Sequence, residues 1–99
     1  MTYKVKLTAR GRNDIKRLYT YMLEQDEEAA DRALEAITSG IEILHDFPFS
    51  CRKASPDNSL IRELLIPFGS SGYIVLFRID GPETVTIAAV RHQREDDYH

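Results

Sequence analysis

Residues 9–44 read ARGRNDIKRLYTYMLEQDEEAADRALEAITSGIEIL, and this stretch decides the fold of the chain. Its apolar side chains recur at steps of three and four residues in two blocks, which is the spacing of amphipathic helices. The first block predicts a helix over residues 9–24, with a core-facing stripe of Ile15, Leu18, Tyr19, Met22 and Leu23. The second predicts a helix from residue 26 to about residue 45, with a stripe of Ala30, Ala33, Leu34, Ile37, Ile41 and Leu44. Because the joint between them is so short, the helices should be antiparallel neighbours in a hairpin.

The residues that flank these blocks have the side chains that begin and end helices. Thr8 and Asp26 precede the two blocks, and each can accept a hydrogen bond from a free backbone N–H of the first helical turn. Phe47-Pro48 ends the second helix, because proline lacks a backbone donor and disfavours helix in the residue before it.

Strand patterns lie on both sides of the hairpin. Residues 3–8 alternate apolar and polar side chains, which predicts a half-buried strand near a sheet edge. After a predicted loop over residues 48–59, three further strands follow, over residues 60–66, 73–77 and 84–91. Pro67 is expected to end the first of these three, and short turns at residues 69–72 and 80–83 make them an antiparallel meander. Residues 73–77 are apolar on both faces, as in a central strand.

The predicted architecture is therefore a single α+β domain. Ninety-nine residues are enough for one modest core. The order strand, helix, helix, strand, strand, strand predicts a two-layer βααβββ domain over residues 1–99, in which the hairpin packs on a small, mainly antiparallel four-stranded sheet. Residues 92–99 are expected to form a polar tail, loose or weakly helical.

Composition excludes several classes of function. No apolar run approaches the roughly 20 residues that cross a bilayer, and the first residues lack the apolar core of a secretory signal. Cys51 is the single cysteine, so no internal disulfide can form, and the three histidines lack the spacing of metal ligands. We therefore expect a cytoplasmic protein with no membrane partner, no metal and no cofactor.

The net charge of −3 conceals a strong asymmetry along the chain. Residues 1–23 hold six basic and one acidic side chain, a net of +5, whereas residues 24–46 hold one basic and eight acidic side chains, a net of −7. Two interpretations stay open at this point. The two helices could present solvated faces that partly pair across the hairpin, or the molecule could have two electrostatic ends that steer different partners.

Four residues are candidates for chemistry: Arg62, Arg78, His92 and Arg94. Histidine can transfer protons near neutral pH, and arginine can hold phosphate with two N–H donors. If Arg62 and Arg78 lie on neighbouring strands, their guanidinium groups could converge near His92. Alternatively, the two arginines pair with nearby carboxylates, and His92 ends a strand by bonding a carbonyl group.

Several short motifs, in order, resemble the RelE/ParE superfamily of small toxins from bacterial toxin–antitoxin modules. They are the strand and helix start at residues 5–11, the helical segments at residues 14–21 and 29–33, Leu44-His45-Asp46-Phe47-Pro48, Ile61-Arg62-Glu63-Leu64, residues 72–79, and Val90-Arg91-His92-Gln93-Arg94-Glu95-Asp96. The resemblance covers nearly the whole chain. It implies a βααβββ toxin, of the kind found in plasmid stabilisation modules, that a cognate antitoxin neutralises in a toxin–antitoxin hetero-oligomer.

The superfamily has two activities, and the sequence favours one of them. RelE-like members are endonucleases that cut messenger RNA on the ribosome, whereas ParE-like members are associated with inhibition of DNA gyrase. Ribosome-cutting relatives commonly carry an arginine where this chain has Ile74, and Glu95, Asp96 and Asp97 would repel phosphate. The His-x-Arg-x-Asp ending is similar to the ParE-like branch. The resemblance thus implies a gyrase inhibitor that is not an enzyme; the alternative is a ribosome-dependent mRNA endonuclease that uses Arg62, Arg78, His92 and Arg94.

The resemblance also suggests how the antitoxin binds. We expect an apolar antitoxin helix or strand to be buried against the helical hairpin and the open sheet edge.

Overall fold

The computed structural model describes residues 2–95, which fold into a helical hairpin packed on one face of a β-sheet. The strands and helices, in chain order, are β1 (Lys4–Leu7), α1 (Ala9–Gln25), α2 (Glu27–Glu42), β2 (Arg52–Ser55), β3 (Asn58–Phe68), β4 (Ser71–Asp80) and β5 (Thr84–His92). Single 3₁₀ turns at Ile43–His45 and Pro48–Ser50 connect α2 to β2. This is the α+β two-layer fold that the sequence predicts.

The sheet has five strands, in the spatial order β1-β5-β4-β3-β2. The strands β3, β4 and β5 form the predicted antiparallel meander, and β4 is central. The prediction of four strands was wrong, because β2 lies inside residues 48–59, which we expected to be a loop. Its sequence, RKAS, has too little apolar alternation to indicate a strand, since it pairs at the edge of the sheet with β3 alone. The first and last strands, β1 and β5, are parallel neighbours.

The core lies between the hairpin and the inner face of the central strands. Val75, Phe77 and Ile87 are fully buried there, and Ala33 and Ile37 of α2 and Leu18 of α1 pack onto them. Burial of each large apolar side chain contributes roughly 1.5–3 kcal/mol. The small Ala30 and Ala33 at the start of α2 are almost wholly buried. The predicted stripes of both helices therefore supply much of the core, but the prediction that Leu23 faces it was wrong, because this side chain is 42% exposed near the end of α1.

The first turns of α1 cover the part of β5 that lies beyond β1. Thr8 donates its backbone N–H to the Ile87 carbonyl at 3.0 Å and its hydroxyl to the Ala88 carbonyl at 3.1 Å. Nearly two helical turns later, the buried carboxylate of Asp14 accepts the backbone N–H of Val90 at 3.0 Å. This carboxylate therefore satisfies a strand donor that has no neighbouring strand, and sequence patterns did not single it out.

The predicted capping residues act as expected. Thr8 accepts from Gly11 at the start of α1, and Asp26 accepts from Glu28 and Ala29 at the start of α2. The regular part of α2 ends at Glu42, three residues before the predicted end, and the chain turns sharply at Phe47-Pro48.

Two predicted boundaries of the meander were also wrong. The strand β3 continues through Pro67 to Phe68, where Pro67 faces Gly72 near the end of the hairpin. The turn after it is consequently only Gly69-Ser70, with Gly69 at a φ of 61°. In the predicted tail, residues 93–95 form a turn after β5, and residues 96–99 lie outside the described part of the chain. No helix within residues 2–95 combines the length and apolarity needed to cross a membrane.

Candidate functional site

Arg62 holds together the irregular segment that precedes β2. Its guanidinium group donates to the carbonyl groups of Ser59, Phe49 and Cys51, the last at 2.7 Å. The same group lies 5.2 Å from the centroid of the Phe49 ring, in a cation–π arrangement. We expected either a phosphate contact or a carboxylate partner for Arg62, and the structure instead gives it backbone carbonyl groups.

Arg78 forms the ion pair that the sequence offered as an alternative. Its Nε donates to Asp80 Oδ1 at 2.6 Å, while the Thr86 hydroxyl donates to the other oxygen of the same carboxylate. These two hydrogen bonds, that of Thr86 first, lower the pKa of Asp80 below its ordinary value. Arg78 therefore belongs to a polar cluster on the sheet face opposite the helices.

Arg62 and Arg78 do not converge near His92, which was one of the two arrangements that the sequence left open. Arg62 pairs with Phe77 across the sheet, whereas His92 pairs with Tyr73, four residues along the same strand. At about 3.3 Å per residue, Arg62 and His92 are therefore about 13 Å apart along the strand direction. Arg78 is adjacent to Phe77 in β4, so its side chain points to the sheet face opposite that of Arg62 and His92.

His92 and Arg94 do meet, at a cavity between α1 and the ends of β4 and β5. The cavity has a volume of about 530 Å³ and is lined by Arg17, Leu18, Tyr21, Met22, Tyr73, His92, Arg94 and Glu95. The Tyr73 ring is buried and meets the His92 ring edge-on, with centroids 5.5 Å apart. Burial raises the pKa of the Tyr73 hydroxyl.

Hydrogen bonds hold His92 in one orientation. Its Nδ1 accepts the backbone N–H of Arg94 at 3.1 Å, which leaves the ring proton on Nε2 when the ring is neutral. Nε2 then donates to the Ser71 hydroxyl at 3.0 Å. The ring contacts a hydroxyl and an N–H rather than the carbonyl group that we expected.

The site also contains an ion pair between Arg17 and Glu95 that the sequence did not predict. The Arg17 guanidinium contacts a Glu95 oxygen at 3.2 Å and an Asp14 oxygen at 3.7 Å. A Glu95 oxygen also accepts the backbone N–H of His92 at 2.9 Å, which ties the turn after β5 to α1. The contact between Arg17 and Glu95 joins residues 78 positions apart in sequence, so no local pattern could reveal it.

Ile74, the residue that favoured the ParE-like branch, is buried in the central strand. Only 4% of its surface is exposed. A side chain in this position contributes to packing and offers no group to a phosphate.

The other chemistry-bearing residues that we considered lie apart from the cavity. Cys51 follows the 3₁₀ turn before β2, and its partial burial raises the pKa of its thiol. Within residues 2–95, no three histidine, cysteine or acidic side chains are grouped as metal ligands would be.

The opposite charges of the two helices do not pair with each other in the described part of the chain. The cross-hairpin polar contact there is a hydrogen bond of 3.0 Å from the Tyr19 hydroxyl to Asp31. The ion pairs of residues 2–95 instead lie along α1, between α1 and Glu95, at the end of α2, and on the sheet. Within residues 2–95, the charged side chains of the two helices are therefore left largely to solvent rather than paired across the hairpin.

Comparison with known protein families identifies the chain. Residues 5–97 match the family described as ParE toxin of type II toxin-antitoxin system, parDE. The chain belongs to the ParE toxin family. Because the match runs from β1 to beyond β5, the helical hairpin, the sheet and the cavity all lie within the family domain.

Two curated relatives of this ParE-family chain come from Caulobacter vibrioides. Toxin RelE3 is 36% identical over 91 residues, covering 92% of this chain and 95% of its own length. Toxin RelE1 is 30% identical over 95 residues, covering 96% and 98%. The similarity extends over nearly the whole of all three proteins, so the chain is a type II toxin of the RelE/ParE superfamily.

A solved structure shares the fold of this ParE-family chain. It is described as the chromosomal ParDE TA system from P. aeruginosa, and it superposes with a TM-score of 0.74 over 92% of this chain and 96% of that one. At 16% identity, this likeness establishes the architecture alone.

Proposed function

We propose that this ParE-family toxin inhibits DNA gyrase by protein contact in the cytoplasm and that a cognate antitoxin neutralises it. The observation that carries the proposal is that the four candidate nuclease residues do not form one site. Arg62 is bound to backbone carbonyl groups, and Arg78 is paired with Asp80 on the other sheet face. His92 and Arg94 lie apart from both, at a cavity whose other arginine, Arg17, contacts the carboxylates of Glu95 and Asp14, which supports a toxin that acts without cleaving RNA.

Two further features support a protein target. Ile74 is packed where ribosome-cutting relatives commonly carry an arginine, so this position offers no cation to a scissile phosphate. Glu95 lies at the same cavity as His92, and its carboxylate would repel a polyanion.

A supercoiling assay tests the proposal directly. Purified toxin is titrated into gyrase with relaxed plasmid, and we expect loss of supercoiling at stoichiometric or modest excess. The variant Arg12→Gln removes one exposed α1 charge outside the cavity, while Arg94→Gln removes one charge at its rim, so the pair tests whether the cavity side contacts the target. Unchanged supercoiling by wild-type toxin at high molar excess would overturn the proposal.

The names of the two curated relatives favour a second candidate, a RelE-like endonuclease that depends on the ribosome. Cells that express the toxin distinguish the two functions by which synthesis stops first. Gyrase inhibition should arrest thymidine incorporation first, whereas mRNA cleavage should arrest methionine incorporation first and produce transcript ends at defined codon positions. His92→Gln should abolish such cuts if His92 transfers the proton.

The surface at the end of the hairpin supports the expected antitoxin contact. Ile43, Phe47 and Phe49 are 46%, 63% and 52% exposed, and they lie on the segment that leads from the β1 edge of the sheet, where Tyr3 N–H donates to the His45 carbonyl, to the β2 edge. Exposed aromatic and aliphatic side chains beside a strand edge suit a partner segment that buries an apolar face.

Co-expression tests this contact. If a small reading frame adjoins the gene, its product should restore growth and co-purify with the toxin. We expect Phe47→Ser to weaken co-purification at least tenfold, as for a truncated interface aromatic. Leu23→Ser, which removes a 42% exposed apolar side chain from α1, should leave co-purification unchanged. Equal effects of both variants would place the antitoxin elsewhere.

A further inference from the structure

We propose that the cavity between α1 and the end of β5 binds a protein segment in which a bulky aromatic side chain stands beside a carboxylate. The inference rests on the proposed function in one respect, namely that this toxin acts through protein contacts. It adds a binding site and the chemistry of the segment that the site accepts.

The size and lining of the cavity suit one large apolar side chain. Its volume of about 530 Å³ lies within the usual range of ligand pockets. Leu18 and Tyr73 form a floor that is almost wholly buried, and Met22 lies beside them. Tyr21 at the rim is 62% exposed, an unusual placement for so large a ring unless a partner covers it.

The charges at the rim select a carboxylate. The guanidinium group of Arg94 is exposed and forms no ion pair with any other residue in the described part of the chain. Arg17 is 41% exposed and already carries Glu95 and, more distantly, Asp14. The charge of Arg17 is thus matched within the chain, and the guanidinium group of Arg94 is the positive charge at the rim that a ligand carboxylate would match.

His92 makes the site more selective for a single negative charge than for a polyanion. Its Nδ1 contacts the Arg94 N–H and its Nε2 contacts the Ser71 hydroxyl, so both ring nitrogens already have partners within the chain. The ring therefore offers the ligand an edge of the apolar wall rather than a further N–H donor. With Glu95 fixed beside it, the rim favours one carboxylate over the consecutive phosphates of a nucleic acid.

Tryptophan-containing peptides provide a direct test, since the protein itself has no tryptophan. The probe is the acetylated peptide amide Gly-Ser-Trp-Asp-Ser-Gly, and its fluorescence on titration with wild-type toxin reports binding to the peptide alone. We expect saturable binding. Replacement of the peptide's Asp by Lys, or of its Trp by Ala, should weaken binding at least about tenfold. The first change removes the carboxylate that pairs with the rim arginine, and the second removes the ring that fills the apolar part of the cavity.

Matched protein variants locate the binding. Arg94→Glu and Tyr21→Ser alter exposed rim residues and should each weaken binding at least about tenfold. Arg12→Glu and Phe47→Ser alter equally exposed residues outside the cavity and should leave binding unchanged. Far-UV circular dichroism of all four variants verifies folding, and the peptide series with wild-type protein does not depend on any variant.

Several results would overturn the inference. They are absence of saturable binding, equal affinity for the Lys and Asp peptides, or weakening by Phe47→Ser rather than by Tyr21→Ser. Tighter binding of a single-stranded oligonucleotide, lost in Arg94→Glu, would assign the cavity to nucleic acid. Binding that occurs only in a variant ending at Glu95 would assign it to the chain's own last residues. Gyrase inhibition is measured separately, so failure of peptide binding leaves the proposed function standing.

Discussion

Asp14 is the residue whose removal should most affect the joint between α1 and the sheet. It is 5% exposed, accepts the Val90 N–H and lies near Arg17. We expect Asp14→Ala to lower the free energy of unfolding by about 1–3 kcal/mol, because the strand donor is left buried without an acceptor. Asp14→Asn keeps an oxygen acceptor and should recover part of this loss. Chemical denaturation checks both variants, and wild-type stability in Asp14→Ala would contradict the assigned role.

The Asp80 cluster should make stability depend on pH at the acidic end. Hydrogen bonds from Thr86 and Arg78 lower the pKa of Asp80 from its ordinary value of 3.8. The unfolded chain therefore takes up this proton at a higher pH than the folded chain. The stabilisation is present above the ordinary value and is lost as the pH falls through the lowered pKa.

Asp80→Asn tests this dependence. We expect it to unfold at a lower temperature than wild type near pH 7, with the difference shrinking as the solution is acidified below the ordinary Asp pKa of 3.8. Thermal unfolding followed by circular dichroism across a pH series gives the comparison. Asp57→Asn, an exposed control outside the cluster, should show no such convergence. A difference that stays constant with pH would refute the prediction.

At the scale of elements, the approach of α2 to β3 depends on Gly40. A Cβ atom at this position would lie 2.7 Å from Ile66 Cγ1 and 2.8 Å from its Cδ1. Because Ile66 is itself buried, it has little room to move, so we expect Gly40→Ala to destabilise the protein by about 1–3 kcal/mol despite the better helix propensity of alanine. The adjacent Ser39→Ala, on the exposed side of α2, should be neutral or slightly stabilising. The denaturant midpoints of the two variants measure this difference in stability. Equal stability of Gly40→Ala and Ser39→Ala would show that α2 can shift away from Ile66 at little cost.

The elements differ in how far the sequence could predict them. The helices and β4 were predictable because their apolar spacing reports directly which faces are buried. By contrast, β2 has no apolar stripe, and it forms because β3 extends far enough to offer it a partner. The parallel pairing of β1 with β5 joins residues about 80 positions apart, so it depends on the packed hairpin rather than on any local pattern.

At the scale of the whole molecule, the candidate site could not be predicted from residue types alone, because the strand register decides which side chains share a face of the sheet. Arg62 and Arg78 lie on neighbouring strands, as expected, but the pairing of Ile61 with Arg78 places the two side chains on opposite faces. A shift of one residue would have put them together. Of the four candidates, His92 and Arg94 lie close together because the turn after β5 separates them by two residues, whereas Arg17 and Glu95 come together only through the fold.

The charge asymmetry of the whole molecule should have little influence on its stability. Lys16 of α1 and Glu35 of α2 are both exposed, and neither forms an ion pair with a described residue. We expect Lys16→Glu and Glu35→Lys each to change the free energy of unfolding by less than about 0.5 kcal/mol. Their double variant should be additive within about 0.3–0.5 kcal/mol. Raising the salt concentration from about 0.05 to about 0.5 M should likewise change wild-type stability by less than about 1 kcal/mol.

A double-mutant cycle by urea unfolding measures the coupling between the two helices. Coupling above about 1 kcal/mol, or a steep loss of stability with salt, would show that the basic and acidic helices hold each other together. Additive variants would mean that the folded state does not depend on pairing between the charges of the two helices. The field of the +5 segment and that of the −7 segment would then both reach into solvent, where they can orient an approaching partner before contact is made.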